Sequence, residues 1–186
     1  MTDRVRNTPK VSIILLNWNG LADTVECLES LQRITYPNYE VVLVDNASKG
    51  EDVKILREKF GDYIHVIQND QNLGFAKGNN VGIRYALDKG TDYVLLLNND
   101  TTVDPEFLTE MVMVAEADKG IGVLCPKMYQ YSQPDQLLFD GGVKIDLWRG
   151  TLRGEPSQDN DQPVMETEFA SGAAMMIRAS TLEQIG

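Results

Sequence analysis

Four short runs of aliphatic and β-branched residues most restrict the fold of this chain: VSIILL (11–16), VVLVD (41–45), HVIQN (65–69) and YVLLLN (93–98). Their length and composition mark them as strands. They are continuously apolar rather than alternating, which is the pattern of strands covered on both faces in a parallel sheet. Amphipathic segments separate them. In LADTVECLESLQRI (21–34), Leu21, Val25, Leu28 and Leu31 share one helical face. EDVKILREKF (51–60) and FAKGNNVGIRYALDK (75–89) are the next two helical segments. Asp104 suits an N-cap and Pro105 the first helical position, and Glu106 and Glu110 favour the positive end of the helix dipole. Leu108, Met111, Val112 and Ala115 then give that fourth helix its apolar face. Strands and helices alternating in this order predict an α/β fold, with an open, mostly parallel twisted sheet and helices on both faces.

The pattern changes after Gly120. IGVLCP (121–126) reads as a strand, but 128–163 is rich in Gln, Asp, Gly and Pro, with only short extended pieces. FDGGVKID (139–146) and VMETEF (164–169) are expected as outer strands and SQDNDQP (157–163) as a polar loop. FASGAAMMIRAS (169–180) returns to a buried strand, and TLEQIG starts a helix barely one turn long, so the chain reads as truncated. At 186 residues it amounts to one domain, large enough to bury a real core.

The formal charge of −11 argues against a nucleic-acid backbone as partner, since such binders need clustered Lys and Arg. It leaves room for a nucleotide, which needs only a few local donors. Cys27 and Cys125 have neither metal-ligand spacing nor a disulfide framework, which fits a reducing compartment. MTDRVRNTPK lacks the apolar core of a signal peptide, and no apolar run has the length to cross a bilayer. A soluble, cytoplasmic protein is the expectation.

Polar residues gather where the apolar runs stop: Asn17-Trp18-Asn19-Gly20, Asp45-Asn46-Ala47-Ser48, Asn69-Asp70 and Asn98-Asn99-Asp100. Ligands of open parallel sheets bind beyond the carboxyl ends of the strands. Asn and Asp also favour ordinary turns and caps, so any one of these ends is uninformative alone. All four together, with a tryptophan among them, point to a site. On the third helix Phe75, Asn79, Ile83 and Leu87 are spaced by four, which puts an amide on the apolar face, where backbone or ligand must satisfy it. Gly74, Gly78 and Gly82 permit close backbone approach. Lys77 lies in the first turn, against the helix dipole, which suits either a bound anion or simple solvation. GFAKGNNVG is neither a Walker loop nor a dinucleotide fingerprint. His65 has no accompanying ligand set, and Glu166 to Glu168 reads as a solvated edge.

The ordered motifs VSIILLNWNG, VVLVDNAS, NLGFAKGNNVG, LLLNNDT and SGAAMMIR resemble family 2 glycosyltransferases of the GT-A fold, most of all the bacterial rhamnosyltransferase-like branch of polysaccharide assembly. The resemblance covers roughly residues 10 to 186, with 10–120 as the nucleotide-sugar-binding half and 121–186 as the start of the acceptor half. NND at 98–100 stands where the family has Asp-X-Asp, so Asp100 carries the motif's single carboxylate. The resemblance implies that Asn98 and Asp100 hold Mn²⁺ or Mg²⁺ together with the diphosphate of a nucleotide sugar, a dTDP- or UDP-sugar. It implies that Asp45 accepts from the base imide while Trp18 packs on the base, with Asn17, Asn19 and Asn46 around base and ribose. Lys77, Asn79 and Asn99 complete the implied nucleotide set, and Ser171 and Gly172 match the loop beside the acceptor. The acceptor is expected to be a glycan or a lipid-linked glycan, and transfer inverts the anomeric centre. The general base of the family lies beyond the segment matching SGAAMMIRASTLEQIG, hence past Gly186, and Asp135, Asp140 and Asp146 match no base motif. Peripheral association of a longer chain with the inner face of the plasma membrane is compatible with this reading. Two other functions compete: a noncatalytic nucleotide-sugar-binding module, and a nucleotidyltransferase. The latter should carry a Gly- and Arg-rich loop after strand one, where NWNGLADT has none.

Overall fold

The structure, a computed structural model, describes residues 8–142, 144–146, 148–149, 151–153 and 164–185. β1 (Val11–Asn17), β2 (Tyr39–Asp45), β3 (Ile64–Gln68) and β4 (Tyr93–Asn98) alternate with α1 (Leu21–Leu31), α2 (Asp52–Phe60) and α3 (Gly74–Asp88), and α4 (Phe107–Ala117) follows β4. Downstream come β5 (Val123–Leu124), β6 (Met128–Gln130), β7 (Gln133–Phe139), β8 (Lys144–Asp146), β9 (Thr151–Arg153), β10 (Ala174–Arg178) and α5 (Ala179–Ile185). The main sheet runs β3-β2-β1-β4-β10-β5. Its first four strands are parallel, and β10 runs antiparallel to both β4 and β5. The mostly parallel α/β architecture expected from the apolar runs is therefore present.

The continuous apolar runs have the physical role their composition suggested. Val11, Ile13 and Leu15 of β1 enter one layer with Leu28 and Leu31 of α1, Leu56 of α2, and Leu108 and Met111 of α4. Ile14 of the same strand enters the opposite layer with Val42, Val44, Val94 and Ala86 of α3. α3 seats closely because Gly78 and Gly82 face the sheet. A Cβ on Gly78 would lie 2.7 Å from Leu16 Cδ1, and one on Gly82 would lie 2.5 Å from Ile14 Cγ2.

Four expectations need correction. α4 begins at Phe107, because Asp104-Pro105 forms a separate turn in which Asp104 Oδ1 accepts from the Glu106 N–H (2.8 Å). Only Val123–Leu124 of IGVLCP is strand. FDGGVKID is broken, its Phe139 ending β7 and its Lys144–Asp146 forming β8, with Gly141 at φ 90 between them. VMETEF forms no strand: its residues 164–168 are exposed and have no ladder partner. SQDNDQP lies outside the described residues.

Gly82→Ala is expected to destabilise the fold, since Ile14 Cγ2 and Val44 Cγ2 (3.2 Å) leave no room for a methyl group. Overpacking costs about 1–3 kcal/mol and the gain in helix propensity returns about 1, so a net loss of up to about 2 kcal/mol should appear in urea denaturation. Alkaline pH should destabilise it too. Burial pushes the Cys27 thiol from 9.0 to about 12, with the charges of Asp100 and Glu26 adding to the rise against a hydrogen bond from Thr101. Burial likewise raises Tyr36 from 10.0 to about 12. Both groups stay protonated longer in the folded chain than in the unfolded one. Their stabilisation is whole below about pH 9 and falls away as pH rises towards 12. Urea midpoints measured from pH 8 upward should decline over that window.

Candidate functional site

The strand order reverses at β1: the chain moves outward to β2 and β3, then returns to place β4 on the other side of β1. This is a topological switch point, where the crossover loops diverge and leave a crevice beyond the strand ends. A cleft of about 180 Å³ opens there, lined by Leu16, Phe75, Asn79, Leu96, Leu97, Asn98, Asn99, Asp100 and Gly172. Of the residues singled out from the sequence, it gathers Asn79, Asn98, Asn99, Asp100 and Gly172. β10 brings in the last of these. The ladder continues one step past Ala174, as Asn98 N donates to Ala173 O (2.8 Å), so Ser171 and Gly172 sit beside the end of β4. Ser171 Oγ accepts from Ala173 N (3.3 Å) and shapes that turn.

The cleft is half apolar. Phe75 opens α3 and is 55% exposed, although its place in the apolar stripe of the sequence suggested core. Asn79 is buried on the same face, and its amide donates to Phe75 O (3.0 Å), so the backbone satisfies it. Lys77, in the first turn of α3, is exposed, with no ion pair among the described residues.

The turn at the end of β4 separates its side chains. Asn99 Nδ2 donates to Thr24 Oγ1 on α1 (2.8 Å) and lies over Gly20. Asp100 is exposed, and among the described residues neither its side chain nor that of Asn98 has a hydrogen-bond or ion-pair partner. Among the described residues no group of three or more His, Cys, Asp or Glu could hold a metal ion unaided. Two open oxygens on one turn nevertheless fit Mg²⁺ or Mn²⁺, which keep several waters and share substrate phosphates. A smaller recess of about 20 Å³ shares Asp100 and is lined by Asp23, Glu26, Thr101, Thr102 and Tyr131, whose hydroxyl bonds Glu26.

The ends of β1 and β2 form a second group. Asn17 and Asp45 are fully buried, and Asn17 Nδ2 donates to Asp45 Oδ1 (2.9 Å), Ser48 Oγ (3.0 Å) and Asp52 Oδ2 (3.2 Å). Asp45 Oδ2 accepts from Ser48 N (3.0 Å). Both carboxylate oxygens thus have partners inside the protein. Asn46 is likewise taken up internally. Its Oδ1 accepts from Asn69 Nδ2 (3.1 Å) and Leu73 N (3.0 Å), and its Nδ2 donates to Asn72 Oδ1 (2.8 Å) and Gly74 O (3.3 Å). Asn19 (φ 55) and Ala47 (φ 62) are both left-handed and face each other across the two turns, where Asn19 N donates to Ser48 Oγ (2.9 Å) and Asn19 Oδ1 accepts from Lys49 N (2.7 Å). Trp18, next to Asn19 in the chain, stands 55% exposed, a large apolar ring that the core does not use.

The sequence reading missed Thr24, Ser48 and Asp52. Only the spacing of Asp45 and Ser48, suited to a side-chain-capped turn, hinted at one of them.

The doubly wound, mostly parallel sheet places the chain among α/β proteins with the GT-A fold, the fold of the solved structures on which it superposes. The chain belongs to glycosyl transferase family 2, whose family model matches residues 12–186. It is 29% identical over 187 residues to the low-salt glycan biosynthesis hexosyltransferase Agl10 of Haloferax volcanii, covering 95% of this chain and 55% of that one. It is 34% identical over 76 residues to the dTDP-rhamnosyl transferase RfbF of Shigella flexneri, covering 40% and 24%. The structure of GalNAc-T7 with UDP, GalNAc and Mn²⁺ superposes with a TM-score of 0.75 over 97% of this chain and 37% of that one, at 17% identity. The chain thus spans about half the length, or less, of these relatives.

Asn46→Ala should strand the Asn69 amide, the Leu73 N–H and the Gly74 carbonyl at once. Unsatisfied buried groups cost about 1–3 kcal/mol each, and partial access to water leaves an expected total loss of about 2–4 kcal/mol in chemical denaturation. A loss below about 1 kcal/mol would mean that the loop 69–74 finds other partners.

Proposed function

We propose that this chain is the donor-binding part of an inverting glycosyltransferase that moves a sugar from a nucleoside diphosphate to a glycan or lipid-linked acceptor. The observation that carries the reading is the pairing, on one strand end at the switch point, of an open Asp100 with an open Asn98 beside an aromatic-walled cleft. Nucleotide complexes of solved structures with the same fold support it.

In this reading residues 10–120 bind the donor and 121–186 begin the acceptor side. Asp100 and Asn98 would hold a divalent cation, Mn²⁺ or Mg²⁺, against the diphosphate. When bound, the cation supplies charge neutralisation for the departing nucleoside diphosphate, which a chain of net charge −11 would otherwise repel. Lys77, unpaired at the start of α3, adds a local positive charge to the same side of the sheet. Trp18 offers its exposed ring to the base. Asn17, Asn19, Asp45 and Asn46 then act mainly by fixing the turns after β1 and β2, through the bonds they already make. Asn79 and Phe75 wall the cleft near the sugar, and Gly172 borders it where an acceptor would approach, with Ser171 next to it in the chain. RfbF is named for a dTDP donor, and the GalNAc-T7 complex holds UDP, so dTDP and UDP are the bases to test first. Among the described residues no helix is long and apolar enough to cross a membrane. Work from the cytoplasmic side, with peripheral contact to the membrane that carries a lipid-linked acceptor, is consistent with that.

A second reading, a binding module without turnover, draws on the lone carboxylate of NND. Turnover with donor and acceptor extract separates the two.

Calorimetry with UDP, dTDP and GDP, each with and without Mn²⁺, tests the reading. At least one diphosphate should bind more tightly in Mn²⁺, and Asp100→Ala should remove that gain while leaving the thermal melt unchanged. Trp18→Ala should weaken all bases alike, by roughly tenfold for one lost stacking contact. Metal-independent binding, or a gain that survives Asp100→Ala, would refute the assignment.

A further inference from the structure

Thr24 lies on α1 and is buried, and the sequence did not single it out. Its hydroxyl joins the two halves of the site. On one side Asn99 Nδ2 donates to Thr24 Oγ1 (2.8 Å), and on the other Thr24 Oγ1 donates to Asn17 Oδ1 (2.9 Å). The direction of the relay is forced. The carboxylate oxygens of Asp45 and Asp52 accept, so the NH₂ of Asn17 must face them and its Oδ1 must face α1. Thr24 must therefore donate to Asn17, which leaves it only a lone pair for Asn99. Asn99 must then present its NH₂ to Thr24, and its carbonyl oxygen has no partner among the described residues.

The packing reinforces the bonding. A Cβ on Gly20 would fall 2.7 Å from Asn99 Nδ2, so the Asn99 amide occupies space that only glycine leaves open. Gly20 N also donates to Asn17 Oδ1 (3.2 Å). One polar chain thus runs from the buried carboxylates of β2 and α2, through the end of β1 and through α1, to the turn that carries Asn98 and Asp100.

We propose that Thr24 is a positioning residue that fixes the 98–100 turn in register with the Trp18 turn, so that diphosphate and base are held at a set separation. This rests on the donor-binding reading above. Thr24 touches neither ligand; it acts through Asn99 and Asn17. A hydroxyl is required, because the position must accept one hydrogen bond and donate another. Valine has the same shape and can do neither.

The test measures the gain in diphosphate affinity that Mn²⁺ confers, by calorimetry with UDP or dTDP, whichever the parent binds. Thr24→Val should cut that gain about tenfold, the equivalent of one lost hydrogen bond to a fixed turn, and Thr24→Ser should restore it. Thr91→Val is the control for stability alone. Thr91 is another buried threonine, whose hydroxyl bonds Lys10 O (3.0 Å) and Tyr93 O (2.8 Å) at the opposite end of β4. It should lower the melting temperature and leave the Mn²⁺ gain intact. Gly20→Ala breaks the relay without removing a buried hydroxyl and should reproduce the loss seen in Thr24→Val. An unchanged gain in Thr24→Val, or in Gly20→Ala should the valine variant fail to fold, overturns the proposal while the donor-binding reading stands. A parent that shows no Mn²⁺ gain with any diphosphate overturns both.

Discussion

The buried amide of Asn17 is the constraint on which the ligand end of this fold depends. Asp45 and Asp52 are both carried into the interior by apolar neighbours, and a carboxylate there needs donors at fixed positions. One side-chain NH₂ serves both, and its partner oxygen gathers Gly20 N and Thr24. Strand β1, strand β2, helix α1 and helix α2 are tied at that one residue. The left-handed backbones of Asn19 and Ala47 persist on either side because the same bonds hold the turns. Backbone conformations of this kind cost free energy, and they survive only where the surroundings over-determine them. The exposed Trp18 is therefore presented from a stiff base.

The opposite wall is set by packing rather than by polar bonds. With no Cβ at Gly78 and Gly82, α3 lies directly on Leu16, Ile14 and Val44, and Asn79 and Phe75 arrive at the cleft as a result. The glycines weaken the helix in isolation, by about 1 kcal/mol each relative to alanine. Tight contact with β1 offsets that, and the cleft gains a rigid floor.

The parallel half of the fold was legible because its signals are local. YVLLLN is a strand over Tyr93–Asn98, as its composition demanded, and the apolar stripe of 75–89 is α3 shifted by one residue. The strand-end residues gathered where an open sheet puts its ligands. What stayed hidden depends on distant partners. Asp45 and Asn46 have the residue types of ligand-binding groups, and only the three-dimensional structure reveals that Asn17, Ser48, Asn69 and Asn72 already occupy them. Phe75 shares the spacing of a core residue yet lies open, because the sheet ends before reaching it. VMETEF, expected as an outer strand, has no strand to pair with among the described residues. FASGAAMMIRAS reads as a buried strand, but nothing in it discloses the direction in which it would enter the sheet.

That direction has a consequence for the reach of the chain. Because β10 is antiparallel to β4, Ala173 meets the cleft and Arg178 ends opposite Tyr93, at the far end of the sheet. α5 starts there, with Ala179 N bonded to Asp92 O (2.9 Å). Any element that follows α5 and acts at the cleft must first retrace the height of β10. At about 3.3 Å per residue its five residues, Ala174–Arg178, amount to roughly 17 Å, the rise of about eleven helical residues. The seven residues of α5 supply at most about 10 Å of that path. A group arriving at the cleft from the C-terminal side therefore comes in over the sheet face or its edge, as a separately folded approach whose position is set by how that path packs.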